Sequence, residues 1–165
     1  MTDMTRGVLI VHACPRVITP HLEWAIGAVL GDVTRMRWRT QPALEGSLRT
    51  EFFWDGLAGT GAKLASALLG WREIRWEVTE EQTFGLNGAR WMYTPQLGIR
   101  HVAMDAHGNA MLSETDIRRI IDENTSGEQL TAELGNWLGE PWDAELDAFR
   151  YASENTPVVW LHQAG

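Results

Sequence analysis

The stretch Gly7-Val8-Leu9-Ile10-Val11-His12-Ala13 decides the architecture. An unbroken aliphatic row of this kind is what a strand needs when both of its faces are covered, so it predicts a central strand with a layer on either side. Downstream, Thr19-Pro20 puts proline where a helix favours its first residue, and Leu22, Ala25, Ile26, Val29 and Leu30 recur on one side until Gly31. That spacing predicts the first helix. Arg35-Met36-Arg37-Trp38-Arg39 alternates strictly, and after a turn over 41–46 the residues Leu48, Thr50, Phe52 and Trp54 share one face. These two runs predict a hairpin. Ala62 to Leu69, with Leu64, Leu68 and Trp71 on one stripe, predicts a second helix, and Ile74 to Val78 returns to period two. The order from Gly7 to Glu81 is thus strand, helix, strand, strand, helix, strand, which is the split βαβ, ferredoxin-like arrangement of an α+β protein.

Beyond it, Ala89 to Thr94 and Ile99 to Met104 read as an added β-hairpin, with Ala110 to Leu112 as a further extended piece. Ser113 with Asp116, and Ser126 with Gln129, have the spacing of helix-capping pairs. Two helices are predicted there, the first carrying Ile117, Ile120 and Ile121, the second Leu130, Leu134, Trp137 and Leu138 up to Gly139. Pro141 opens a shorter helical stretch with Leu146 and Phe149, and 157–162 reads as strand-like. We therefore expect a core over residues 1–82 and, over 83–165, a hairpin and acidic helical extension packed on it as a single unit.

Charge divides the chain unevenly. Residues 1–100 carry 11 basic and 10 acidic groups, residues 101–165 carry 3 and 12, and the net charge is −8. A surplus of that sign repels phosphate backbones, so nucleic acid is not an expected partner. No apolar run approaches the roughly 20 residues of a membrane-spanning helix, and Met1 to Arg6 lacks the basic flank and cleavage site of a secretory signal. One cysteine, Cys14, excludes an internal disulfide and fits a reducing cytoplasm. Nine tryptophans against two tyrosines supply large flat groups for a core or for a partner surface, with Trp137 and Trp142 as candidates for the surface.

Four constellations bear on chemistry. Gly59-Thr60-Gly61 with Lys63 opens the second helix, where backbone N–H groups and the helix dipole offer a cradle for a phosphate. The glycine spacing departs from the known phosphate loops, since Ala62 stands at the lysine position and Leu64 at the third glycine of the dinucleotide pattern. Cys14, two residues after His12 and just before the helix that carries His21, has the neighbours a thiol nucleophile or a zinc site needs, but lacks paired ligand motifs. Carboxylates cluster at Glu77, Glu80 and Glu81 and from Asp143 to Asp147, as hydrolytic pairs do when opposed across a cleft. Finally, Arg35, Arg37 and Arg39 share one face of a predicted strand. That face, with Arg49, Glu51, Phe53, Arg75 and Glu77, lies opposite the two helices and lacks the ring-bearing strands of an RNA-binding sheet; it offers a place for the acidic carboxyl-terminal helices to dock.

The chain also resembles an actinobacterial family catalogued as domain of unknown function 3145. The resemblance rests on Arg6 to Leu9, Pro20 to Ala25, Gly59-Thr60-Gly61 through Leu68 to Trp71, Glu77 to Glu81, Tyr93-Thr94-Pro95 with Leu97 to Ile99, Pro141-Trp142-Asp143, and Phe149 to Ala152 with Trp160 to Gln163. It brings no catalytic residues. It implies a cytoplasmic protein, in some members encoded beside fatty-acid synthesis genes. With no acid, base, nucleophile and metal set converging, we expect a non-catalytic protein-binding or regulatory role in fatty-acid or malonyl-CoA supply, without a cofactor and with a carboxylase or fatty-acid synthase component as partner. The alternative is a sensor or enzyme for an acyl, coenzyme A or phosphate ligand, working through Cys14 or the turn from Gly59 to Lys63.

Overall fold

The computed structural model describes residues 3–31 and 36–152. Six strands, β1 (Met4–Pro15), β2 (Arg39–Thr40), β3 (Ser47–Leu57), β4 (Arg75–Glu80), β5 (Gly88–Thr94) and β6 (Gly98–Met104), form one antiparallel sheet in the order β2-β3-β1-β4-β5-β6. Among the described residues five α-helices accompany it: α1 (Thr19–Leu30), α2 (Thr60–Leu68), α3 (Glu114–Glu123), α4 (Gly127–Leu138) and α5 (Glu140–Tyr151). No helix among the described residues is long and apolar enough to cross a membrane.

The unbroken apolar row sits centrally, and alternation along it explains why both faces are buried. Leu9 and Val11 join Trp76 and Val78 of β4, Leu22 and Ile26 of α1, and Leu64 and Leu68 of α2 in the main core. Glu77, between Trp76 and Val78, must point to the opposite face, where it meets Arg150 of α5. Gly7 on β1 leaves room for Trp54, since a Cβ there would lie 2.5 Å from the indole and 1.9 Å from the Thr79 carbonyl oxygen.

Several elements differ from their sequence reading. The arginine-rich run is not a strand over 35–39: pairing begins at Arg39, Arg35 lies outside the described residues, and residues 36–38 are irregular. The cause is local. Met36 is buried in the core beneath the helices, and the Trp38 indole N–H donates to Glu23 of α1 at 2.7 Å, so this segment is drawn toward α1 and away from the β3 edge. The added hairpin, β5 with β6, continues the main sheet through the pairing of β5 with β4. Residues 110–112 supply only a single bridge, Ala110 with Met104. The stretch opened by Pro141 is a 12-residue helix, and the strand-like reading of 157–162 falls outside the described residues.

Candidate functional site

The glycine turn before α2 does hold an anion, and the anion belongs to the chain itself. Gly59 takes a left-handed conformation, φ 93°, which aims its N–H and that of Gly61 at one point. They donate to the two carboxylate oxygens of Glu80, each at 2.6 Å. Glu80 ends β4 and is buried, so a charged group from the neighbouring strand caps the helix and meets its dipole. A Cβ on Gly61 would lie 2.6 Å from that carboxylate and 2.7 Å from the Trp91 ring, which explains glycine there without a ligand. Thr60 donates to the Leu57 carbonyl at 2.7 Å, and Lys63 is exposed to solvent. Sequence reading named Glu80 only within a cluster of carboxylates and missed its place at this turn, because the capping group comes from β4, nineteen residues beyond Gly61.

Beside the turn opens a cleft of about 510 Å³, lined by Arg6, Glu81, Phe84, Met104 and Asp105 among others. Its charged groups are matched locally. Arg6 donates to Glu81 at 2.7 Å, and Asp105 accepts from the backbone N–H groups of His107 and Asn109.

Cys14 and His12 are separated by a bulge. The register of β1 shifts between Val11 and Cys14, and that irregularity turns the thiol into the core beneath α1 and α2. Burial, reinforced by the charge of Glu73, pushes the thiol up to about 12, so it stays protonated near neutrality. His12 faces the other way, its Nε2 2.6 Å from Glu77, and His21 is exposed. Among the described residues no group of three or more His, Cys, Asp or Glu is placed to hold a metal ion.

The densest charge lies between the sheet and α5. Glu77, buried on both sides, is met by His12 at 2.6 Å, by the Arg150 guanidinium at 2.6 and 3.3 Å, and by Arg90 at 3.1 Å. Arg150 also donates to Asp143 and Asp147 at 2.8 Å each. Burial, the largest influence, pushes the Glu77 carboxyl up; the His12 hydrogen bond and the charges of His12, Arg150 and Arg90 outweigh it and hold the group below the ordinary carboxylate range. Arg150 is driven the opposite way: burial lowers it, but Glu77, Asp147 and Asp143 raise it above its usual value. Glu77 and Asp143 are therefore bridged by arginines, Arg150 hydrogen-bonded to both and Arg90 at 3.1 and 3.9 Å, not opposed across a water-filled gap as a hydrolytic pair requires.

The acidic helix α5 lies on the expected sheet face, opposite α1 and α2, but at its Arg75 and Glu77 end and not on the arginine run itself. The arginines that α5 meets are Arg75, whose guanidinium lies 4.5 Å over the Phe149 ring, and Arg90, with Arg150 supplied by the helix itself; Arg37 and Arg39 are exposed at the far edge. Arg100 donates to the Trp137 carbonyl, and the Trp142 indole N–H donates to the Gly98 carbonyl at 3.0 Å. Both tryptophans are half-buried, and their neighbourhood ties α4 and α5 to β6. Gln41, fully buried, adds a further tie by donating to the carbonyls of His12 and Phe149 at 2.7 and 3.2 Å.

The sequence of residues 8–163 matches the family described as "Protein of unknown function (DUF3145)". The chain belongs to the DUF3145 family. No curated protein and no solved structure matches it. For DUF3145 membership the matched span matters, because it includes β1 and α5 together, the two elements that supply His12 and Arg150 to the same buried carboxylate.

Proposed function

We propose that this DUF3145 chain is a non-catalytic protein-binding or regulatory protein. The observation that supports it is the commitment of its chemically capable groups to the fold. Glu80 occupies the N–H groups of the glycine turn, Glu77, Asp143 and Asp147 are held by Arg150, and Cys14 is buried with its proton on. Large apolar side chains also stay open to solvent: Trp24 is 78% and Phe84 fully exposed, and four branched aliphatic side chains of α3 and α4 are in water. The resemblance to an actinobacterial family with members encoded beside fatty-acid synthesis genes makes a cytoplasmic carboxylase or fatty-acid synthase component the first partner to test, with malonyl-CoA supply as the process regulated.

Consistent with that role, we read residues 1–82 as a ferredoxin-like core, on the strand order β2-β3-β1-β4 with α1 and α2 over one face, and 83–165 as an extension of it. Titrating the isotope-labelled chain with coenzyme A and inorganic phosphate tests the role against the ligand alternative. Silent amide signals at Gly59 and Gly61 together with capture of a stoichiometric protein from the host support protein binding. Saturable shifts at those amides, abolished by Lys63→Ala, would overturn it.

A further inference from the structure

We propose that the paired helices α3 and α4 form the docking face for a basic, amphipathic helical segment of a partner protein, an inference that rests on the protein-binding reading above. Both helices have defined starts, since the Ser113 and Ser126 hydroxyls accept from the N–H groups of Asp116 and Gln129 at 3.1 Å. Among the described residues nothing covers the greater part of their apolar stripes. Of the ten residues of α3 only Ile120 is buried, while Ile117 and Ile121, one turn apart, are 41% and 56% exposed. On α4 the pair Leu134 and Leu138, also one turn apart, is 36% and 54% exposed. The helices pack on each other, and α4 packs on α5, so the two stripes lie on adjoining elements. An amphipathic helix keeps such a stripe in order to bury it.

Charge selects what covers it. From Ser113 to Gly139 the chain has six carboxylates and only two cations, Arg118 and Arg119, and these already pair within α3 with Glu114, Asp116 and Glu123. A second copy would bring the same acidic rim against itself. The chain's own residues 153–165 contain Glu154 and no lysine or arginine. A segment with leucine-like side chains at helical spacing flanked by lysine or arginine matches both the stripe and its rim, in the manner of helices that lie in grooves.

The test uses the full isotope-labelled chain and three synthetic peptides: a leucine/lysine amphipathic helix, a leucine/glutamate helix of the same pattern, and a leucine/lysine peptide of scrambled order. The proposal expects saturable amide shifts confined to residues 113–139 with the first peptide alone. It also expects binding weakened by about tenfold or more in an Ile121→Glu, Leu138→Glu variant whose unfolding midpoint is unchanged. Shifts spread over the whole acidic surface, equal binding of the scrambled peptide, or full affinity in the variant would overturn it. So would two other occupants: self-association that disappears in the variant identifies a second copy, and shifts of α3 and α4 signals on Trp160→Ser, Leu161→Ser without peptide identify the chain's own segment. Capture of the same host protein by wild type and variant refutes this surface and leaves the protein-binding reading standing; recovery of no protein by either refutes that reading.

Discussion

Replacing Arg150 by methionine keeps the length and apolar stem of the side chain and removes the guanidinium that is hydrogen-bonded to Glu77, Asp143 and Asp147 together. Methionine leaves the carboxylate of Glu77, 1% exposed, with His12 and Arg90 as its remaining neighbours. Removing one partner of a buried ion pair costs about 3–5 kcal/mol, and because His12 and Arg90 stay in place beside Glu77 we expect the lower end, about 3 kcal/mol. For a chain of this length each kcal/mol moves the unfolding midpoint by roughly 2–4 °C, so a fall of roughly 6–12 °C is expected by circular dichroism. The loss is also local. Hydrogen exchange of the α5 amides should accelerate well before that of β1 and β4, since Arg150 is the main polar tie of that helix to the sheet. In a double-mutant cycle with Glu77→Gln the two changes should couple by about 2 kcal/mol. A midpoint within about 2 °C of wild type, with unchanged α5 exchange, would refute the assignment of Arg150 as the clasp.

Stability should also depend on acid. Because the Glu77 carboxyl is held below its ordinary value of 4.5 in the folded state, its contribution is complete above that value and declines as pH falls below it, so a pH series of midpoints should drop on the acid side. Glu80→Ala and Gly61→Ala are each expected to lower stability, the first by about 2 kcal/mol through loss of two charge-assisted bonds and the second by about 1–3 kcal/mol through crowding, while Lys63→Ala leaves the midpoint in place; denaturant titration checks all three. Cys14 should resist thiol reagents in the folded chain at neutral pH and react on unfolding, and Cys14→Ala should retain partner binding. Arg49 is buried with both terminal nitrogens lacking a hydrogen-bond partner, so Arg49→Met should hold or raise the midpoint, and a clear fall would show that the guanidinium is compensated.

Much of the scaffold was legible because its signals are local. The aliphatic row from Val8 to Val11, Pro20 at the start of α1, and the serine caps of α3 and α4 each fix an element within a few residues. The exception is the run from Arg35 to Arg39, whose alternation is a good strand pattern overridden by two tertiary contacts, Met36 in the core and Trp38 on Glu23. The charge cluster was less legible. Glu77 was visible only as one of a cluster of carboxylates, because its partners come from β1, β5 and α5, and no short-range pattern joins residues 12, 77, 90 and 150. Likewise the glycine turn announced an anion site, and only the antiparallel return of β4 showed that Glu80 fills it. Cys14 was misplaced relative to His12 by one bulge, which sequence alternation does not register.

The claim that this chain acts through a surface and not through a reaction is tested most directly by comparing complexes purified from host cells. The tagged full chain, a Cys14→Ala, Lys63→Ala variant and an Ile121→Glu, Leu138→Glu variant would be crosslinked, isolated and weighed by mass spectrometry. The account predicts one stoichiometric protein partner retained by the first two chains and lost from the third. A partner lost from the Cys14→Ala, Lys63→Ala chain but kept by the helix variant, or no partner on the wild-type chain, would contradict it.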